Sequence, residues 1–112
     1  MLVHFDSPTD AVLCGIAMQE VLRQHNEQRP EEGSFTARVA INAGEVELTG
    51  NDAEGAAVDI VVALEEMSEV GAVWFTEAVF QSMNRAEIPS VVVGERVLDG
   101  SPQPVQIGRA HV

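Results

Sequence analysis

At 112 residues, 46% of them apolar, the chain suits one hydrophobic core over residues 1–112 and is too short for two. Its formal charge of −12, from 18 acidic residues against six arginines and no lysine, excludes binding of nucleic-acid phosphates or anionic membranes by counter-charge, and reads first as a solubility feature. The one cysteine, Cys14, excludes an internal disulfide; with no bilayer-length apolar run and no basic-plus-apolar leader, a cytoplasmic protein or a domain of a larger one is expected.

Met1 to Phe5 is short and apolar and predicts a strand. Ser7, Pro8 and Thr9 then supply helix-start chemistry: a hydroxyl that can accept from free amides, and a proline tolerated in the first turn. Val12, Leu13, Ile16, Ala17, Gln19, Val21 and Leu22 predict a helix to about Asn26, with Cys14 as a small core residue. Pro30 and Gly33 break the chain. Phe35, Ala37, Val39 and Ile41 alternate as a strand. After a turn at Asn42–Gly44, residues 45–48 alternate back, predicting a hairpin.

A second turn spans Thr49 to Asp52, and a helix is expected from Glu54 to about Glu69, with Val58, Val61, Val62, Leu64 and Met67 inward. Its β-branched residues give it mediocre intrinsic propensity, so packing must hold it. Gly71 releases it into a strand from Ala72 to Phe75, and Thr76 caps a short helix to about Met83. Ile88 with Val91 to Val93 reads as a strand, and Val97 to Ile107 as a closing edge hairpin. The sum is α+β, with helices packed on a mainly antiparallel sheet.

Few residues form chemical constellations. His4, His25 and His111 are scattered, without metal-ligand spacing. Glu45 and Glu47 share a strand face, which reads as a solvated edge. Ser7, Ser34, Ser68 and Ser90 lack a nucleophile's setting. Trp74 reads as core or interface. The glycines at 50 and 55 lack the lysine of a phosphate-binding loop.

Residues 52–64, DAEGAAVDIVVAL, carry the strongest signal. They resemble the class III nucleotide cyclases, whose pattern there is roughly D-x-x-G-x-x-V-N-x-A-x-R-L: Asp52, Gly55, Val58 and Leu64 match, while Asp59 stands at the asparagine and Ala63 at the arginine. Residues 41–46 are similar to the family's I-x-x-G-x-V turn and residues 71–79 to its G-x-I-x-V-S-x-x-V segment. Residues 94–105 are similar to its G-x-x-x-L-K-G…P-V ending, with Asp99 at the lysine.

The resemblance implies a ferredoxin-like, cyclase-type fold that lacks the family's first strand, its crossover helices and the next strand. The strands at 1–5 and 35–41 would then flank the missing central strand. It implies chemistry in which two aspartates hold a pair of divalent cations, an arginine stabilises the α-phosphate and an asparagine orients the ribose. Both metal aspartates belong to segments before Met1. Two readings stay open for Asp52: a base contact accepting from an adenine amino group, or a turn and helix-start residue.

The expected function is a catalytically degenerate adenylate/guanylate cyclase-like domain, truncated, without turnover, acting in association or regulation in cyclic-nucleotide-type signalling. Expected catalytic residues are none and cofactors none, magnesium or manganese entering only if a partner completes the site. Expected partners are a second copy, forming a dimer or larger homo-oligomer, or a cyclase-like domain, with neither nucleic acid nor membrane. The first alternative is one part of an active cyclase, converting ATP or GTP to cyclic nucleotide and pyrophosphate, completed by a partner or by upstream sequence. The second is an unrelated small acidic interaction module.

Overall fold

The computed structural model describes residues 1–50 and 52–110; Asn51, within the expected turn at 49–52, and His111 and Val112 lie outside them. Helix α1 (Pro8–Gln28) starts as expected: the Ser7 hydroxyl accepts from the Asp10 amide at 3.2 Å and Pro8 occupies the first turn. A short 3-10 turn (Pro30–Glu32) leads to β1 (Val39–Ile41), β2 (Glu47–Thr49), β3 (Asp52–Glu54), α2 (Ala56–Met67), β4 (Val73–Thr76), α3 (Glu77–Ser82), β5 (Ser90–Arg96) and β6 (Val105–Ala110).

The main sheet has the order β1-β4-β6-β5, with β1 and β4 parallel and the other two pairings antiparallel. All four residues of β4 are buried, so alternate side chains feed two cores. Val73 and Phe75 join Val12 of α1, Val79 and Met83 beneath α1 and α3. Trp74 faces the other way, onto Leu64 of α2, Leu98 and Ile107. The result is a helix-packed α+β sheet, as the sequence implies.

Two polar side chains fasten these layers. Gln19 donates to the carbonyls of Ala37 and Ala72 at 3.0 and 2.9 Å, tying α1 to the starts of β1 and β4. Asn42 donates to the Ala57 carbonyl at 3.0 Å and accepts from the Thr76 hydroxyl at 2.7 Å, tying the ends of β1 and β4 to the start of α2. Gly15 lets α1 approach the sheet: a Cβ there would lie 2.9 Å from Val39 Cγ1 and 3.2 Å from Val73 Cγ1.

Several local expectations are corrected. Residues 1–5 form no strand and are exposed, because no neighbouring strand among the described residues offers its backbone. β1 does not pair with residues 45–48 but runs parallel to β4, while β2 pairs with β3, turning through Gly50 at φ +63°. Period-two alternation marks a strand but does not name its partner. The second helix begins at Ala56, two residues late, because Asp52–Glu54 is strand. Its inward residues are Ile60, Ala63 and Leu64; Val62 and Met67, expected inside, are 48% and 40% exposed. β6 is not an edge strand but lies between β4 and β5. Cys14 is only half-buried. Thr76 precedes α3 without capping it, its hydroxyl being committed to Asn42. Among the described residues, no helix is long and apolar enough to cross a membrane.

Candidate functional site

α2 presents one face to the loop joining β5 and β6, and the gap between them is a cavity of about 260 Å³ lined by Asp59, Val62, Ala63, Glu66, Asp99 and Gly100. Positions 59, 62, 63 and 66 recur at helical spacing, so one stripe of α2, exposed at Asp59, Val62 and Glu66 and half-buried at Ala63, forms a whole wall. Asp99 and Gly100 form the other. The structure thus brings Asp59 and Ala63 together with Asp99, three positions at which the chain departs from the cyclase pattern. Asp52 is elsewhere: it opens β3, is exposed, and does not line the cavity. Glu66, Val62 and Gly100 are lining residues that sequence reasoning missed, Val62 having been expected in the core; the i, i+3, i+4, i+7 spacing from Asp59 was the available signal for the first two.

The wall's placement has identifiable causes. Asn42 holds the start of α2 against the sheet, and Leu64, fully buried, seats the helix on Trp74 and Leu98. Gly100 permits the close approach of the loop. It lies at φ +92°, and a Cβ there would stand 2.9 Å from Asp59 Cβ and 3.2 Å from the Ala56 carbonyl oxygen. Gly100→Ala is therefore expected to cost about 1–3 kcal/mol in urea unfolding. Gly33→Ala, at φ +83° with nothing within 4 Å, shares the backbone strain but not the clash, and should cost measurably less.

The cavity is anionic: Asp59, Glu66 and Asp99 line it, and no cationic side chain does so among the described residues. Asp59 lies in the first turn of α2, where a carboxylate complements the helix dipole by roughly 0.3–1 kcal/mol. Among the described residues, no group of three or more histidine, cysteine, aspartate or glutamate side chains is placed to hold a metal ion. The three carboxylates therefore do not fit the cation pair implied by the cyclase resemblance. Outside the cavity, on α1, the hydrogen bond from Arg23 holds the Glu20 carboxyl below its ordinary pKa.

No protein-family model matches the chain. A stretch of serine/threonine-protein kinase pkn2 from Myxococcus xanthus is 40% identical over 111 residues, covering 99% of this chain but 13% of that protein. Among solved structures, the adenylate/guanylate cyclase/hydrolase from Silicibacter pomeroyi superposes with a TM-score of 0.83 at 27% identity, over 95% of this chain and 63% of that one. The adenylyl cyclase CyaB from P. aeruginosa superposes at 0.72 with 22% identity, over 95% and 61%. The chain thus spans less than two thirds of these structures and about an eighth of the kinase. Its helix-packed sheet, its motif order and these superpositions agree: the chain has the fold of the class III adenylate/guanylate cyclase domains.

Proposed function

We propose that this is a catalytically degenerate cyclase homology domain, one unit over residues 1–112, that acts in the cytoplasm by association or regulation in signalling and turns over no nucleotide. The observation that carries the reading is the carboxylate-lined cavity at Asp59, Glu66 and Asp99, with Ala63 between them. A triphosphate placed there would meet like charge and no guanidinium. One lost donor to a developing oxyanion already costs about 3 kcal/mol of transition-state stabilisation. Asp59 also supplies the negative charge that the start of α2 favours, a role a phosphate would otherwise fill. The likeness to a segment of the Myxococcus kinase supports a place in signalling, where such a domain would work through contacts rather than chemistry.

Two measurements on the purified chain test this. Incubated with ATP or GTP and manganese, it should release no cyclic nucleotide above the protein-free control. Calorimetric titration with either triphosphate should show no binding tighter than roughly 1 mM, about −4 kcal/mol. Robust turnover by the chain alone overturns the reading.

A further inference from the structure

We propose that residues 29–36, which join α1 to β1, form a strap that opens and closes as one unit on a body that stays folded, with His25 and Asn26 of α1 as its latch. From Pro30 to Thr36 the backbone pairs with no strand. Among the described residues its backbone–backbone hydrogen bonds run from the Glu32 amide to the Arg29 carbonyl at 3.1 Å and from the Gly33 amide to the Pro30 carbonyl at 3.2 Å. Pro30 has no amide hydrogen to donate, and Gly33 stands at φ +83°, in the region that favours glycine. What ties this segment to the helix is therefore side-chain chemistry.

Two adjacent residues near the end of α1 supply that chemistry. The Asn26 carboxamide meets the Phe35 backbone twice, donating to its carbonyl and accepting from its amide, both at 2.9 Å. It does for Phe35 what a neighbouring strand would do. His25 Nε2 lies 3.0 Å from Glu32 Oε2, and because a carboxylate only accepts, the ring donates. The same ring meets Phe35 edge to face, with centroids 5.0 Å apart and planes at 70°. Its other nitrogen, Nδ1, is buried without a partner, so Glu32 is the ring's one polar hold among the described residues. Arg29 Nη1, 3.5 Å from Glu32 Oε1, completes the group. Glu32 and Phe35 share the His25 ring, so releasing one loosens the other.

The two ends of the strap are anchored independently of the latch. The Arg29 amide bonds to the His25 carbonyl at 2.9 Å, and the Ala37 carbonyl accepts from the Gly71 amide at 2.9 Å and from Gln19 at 3.0 Å. Opening the strap therefore breaks neither α1 nor the sheet, which places it at the low-stability end of the molecule, where segments open as local units. Each latch contact joins residues between positions 25 and 35, so none depends on what precedes residue 1, and none involves a residue that lines the cavity.

Amide hydrogen exchange of the whole chain, read residue by residue by NMR, tests the proposal. In the wild type the Phe35 amide should exchange faster than that of Phe75 in β4, a strand paired on both sides, yet more slowly than in an unstructured peptide. Asn26→Ala should speed exchange at Phe35 by ~5–100-fold, as expected for the loss of two side-chain hydrogen bonds. Glu32→Ala, which removes no bond to that amide, should speed it by ~2–10-fold, because the strap opens as one unit. Exchange at Phe75 should stay within about twofold of wild type in both variants. A wild-type Phe35 amide as fast as in an unstructured peptide, an unchanged rate at Phe35 in either variant, or equal acceleration at Phe35 and Phe75 would each overturn it.

Discussion

Replacing Asp59 by asparagine, Ala63 by arginine and Asp99 by lysine in one chain should tighten triphosphate binding well beyond the millimolar-or-weaker level expected of the wild type. Together the changes add about four units of positive charge around one cavity. At about 8 Å and an effective dielectric near 20, one unit charge interacts with another by roughly 2 kcal/mol. Asp59 and Asp99 are exposed, and salt screens such charges over about 8 Å at physiological ionic strength, so most of that gain is discounted. A tightening of ~10–100-fold, lost again at high salt, is the expected result by calorimetry. The Asp59→Asn/Asp99→Lys pair, which leaves half-buried Ala63 untouched, should show a smaller gain in the same direction. Unchanged binding in both variants would mean that charge at this cavity is not what excludes nucleotide. Turnover is not expected from either, since among the described residues no group of three or more histidine, cysteine, aspartate or glutamate side chains is placed to hold a metal ion.

Phe75→Ala should be the most damaging single truncation in the chain. The ring is fully buried on β4, in the core that joins β4 to α1 and α3. Truncating a buried phenylalanine costs about 3–5 kcal/mol, through lost transfer energy and the cavity left behind. A chain of this size holds roughly 5–15 kcal/mol in all, so the variant would be marginal. Its thermal midpoint should fall by about 15–25 °C in calorimetry. Val92→Ala, at an 83% exposed position on edge strand β5, should stay within about 0.5 kcal/mol of wild type. Equal losses in the two variants would contradict the placement of the core on the α1 side of β4.

These expectations draw unequally on sequence and structure. Helical spacing and the Ser7–Pro8–Thr9 start placed α1, and four apolar residues in a row after Gly71 marked the buried strand β4. Cyclase-like motifs, in order, named positions 59, 63 and 99 as the departures. Periodicity could not say that β1 joins β4 rather than residues 45–48, because alternation records which face is wet and not which strand lies alongside. It could not phase α2 either. With valine or isoleucine at 58, 60, 61 and 62, apolar residues ring that helix, and only the position of the sheet decided that Ile60 and Leu64 face in and Val62 out.

By itself, then, the sequence determined most of the elements and their order, the net charge and the likeness to cyclase domains, all of which follow from residue type and short-range spacing. Tertiary structure alone decided that Asp99, forty residues after Asp59, shares a cavity with it, and that Asp52, seven residues before Asp59, does not. The physical reason is the same in each case: these are long-range juxtapositions set by packing α2 and α1 on opposite faces of one sheet. No local pattern of side chains encodes which surfaces such packing will bring together.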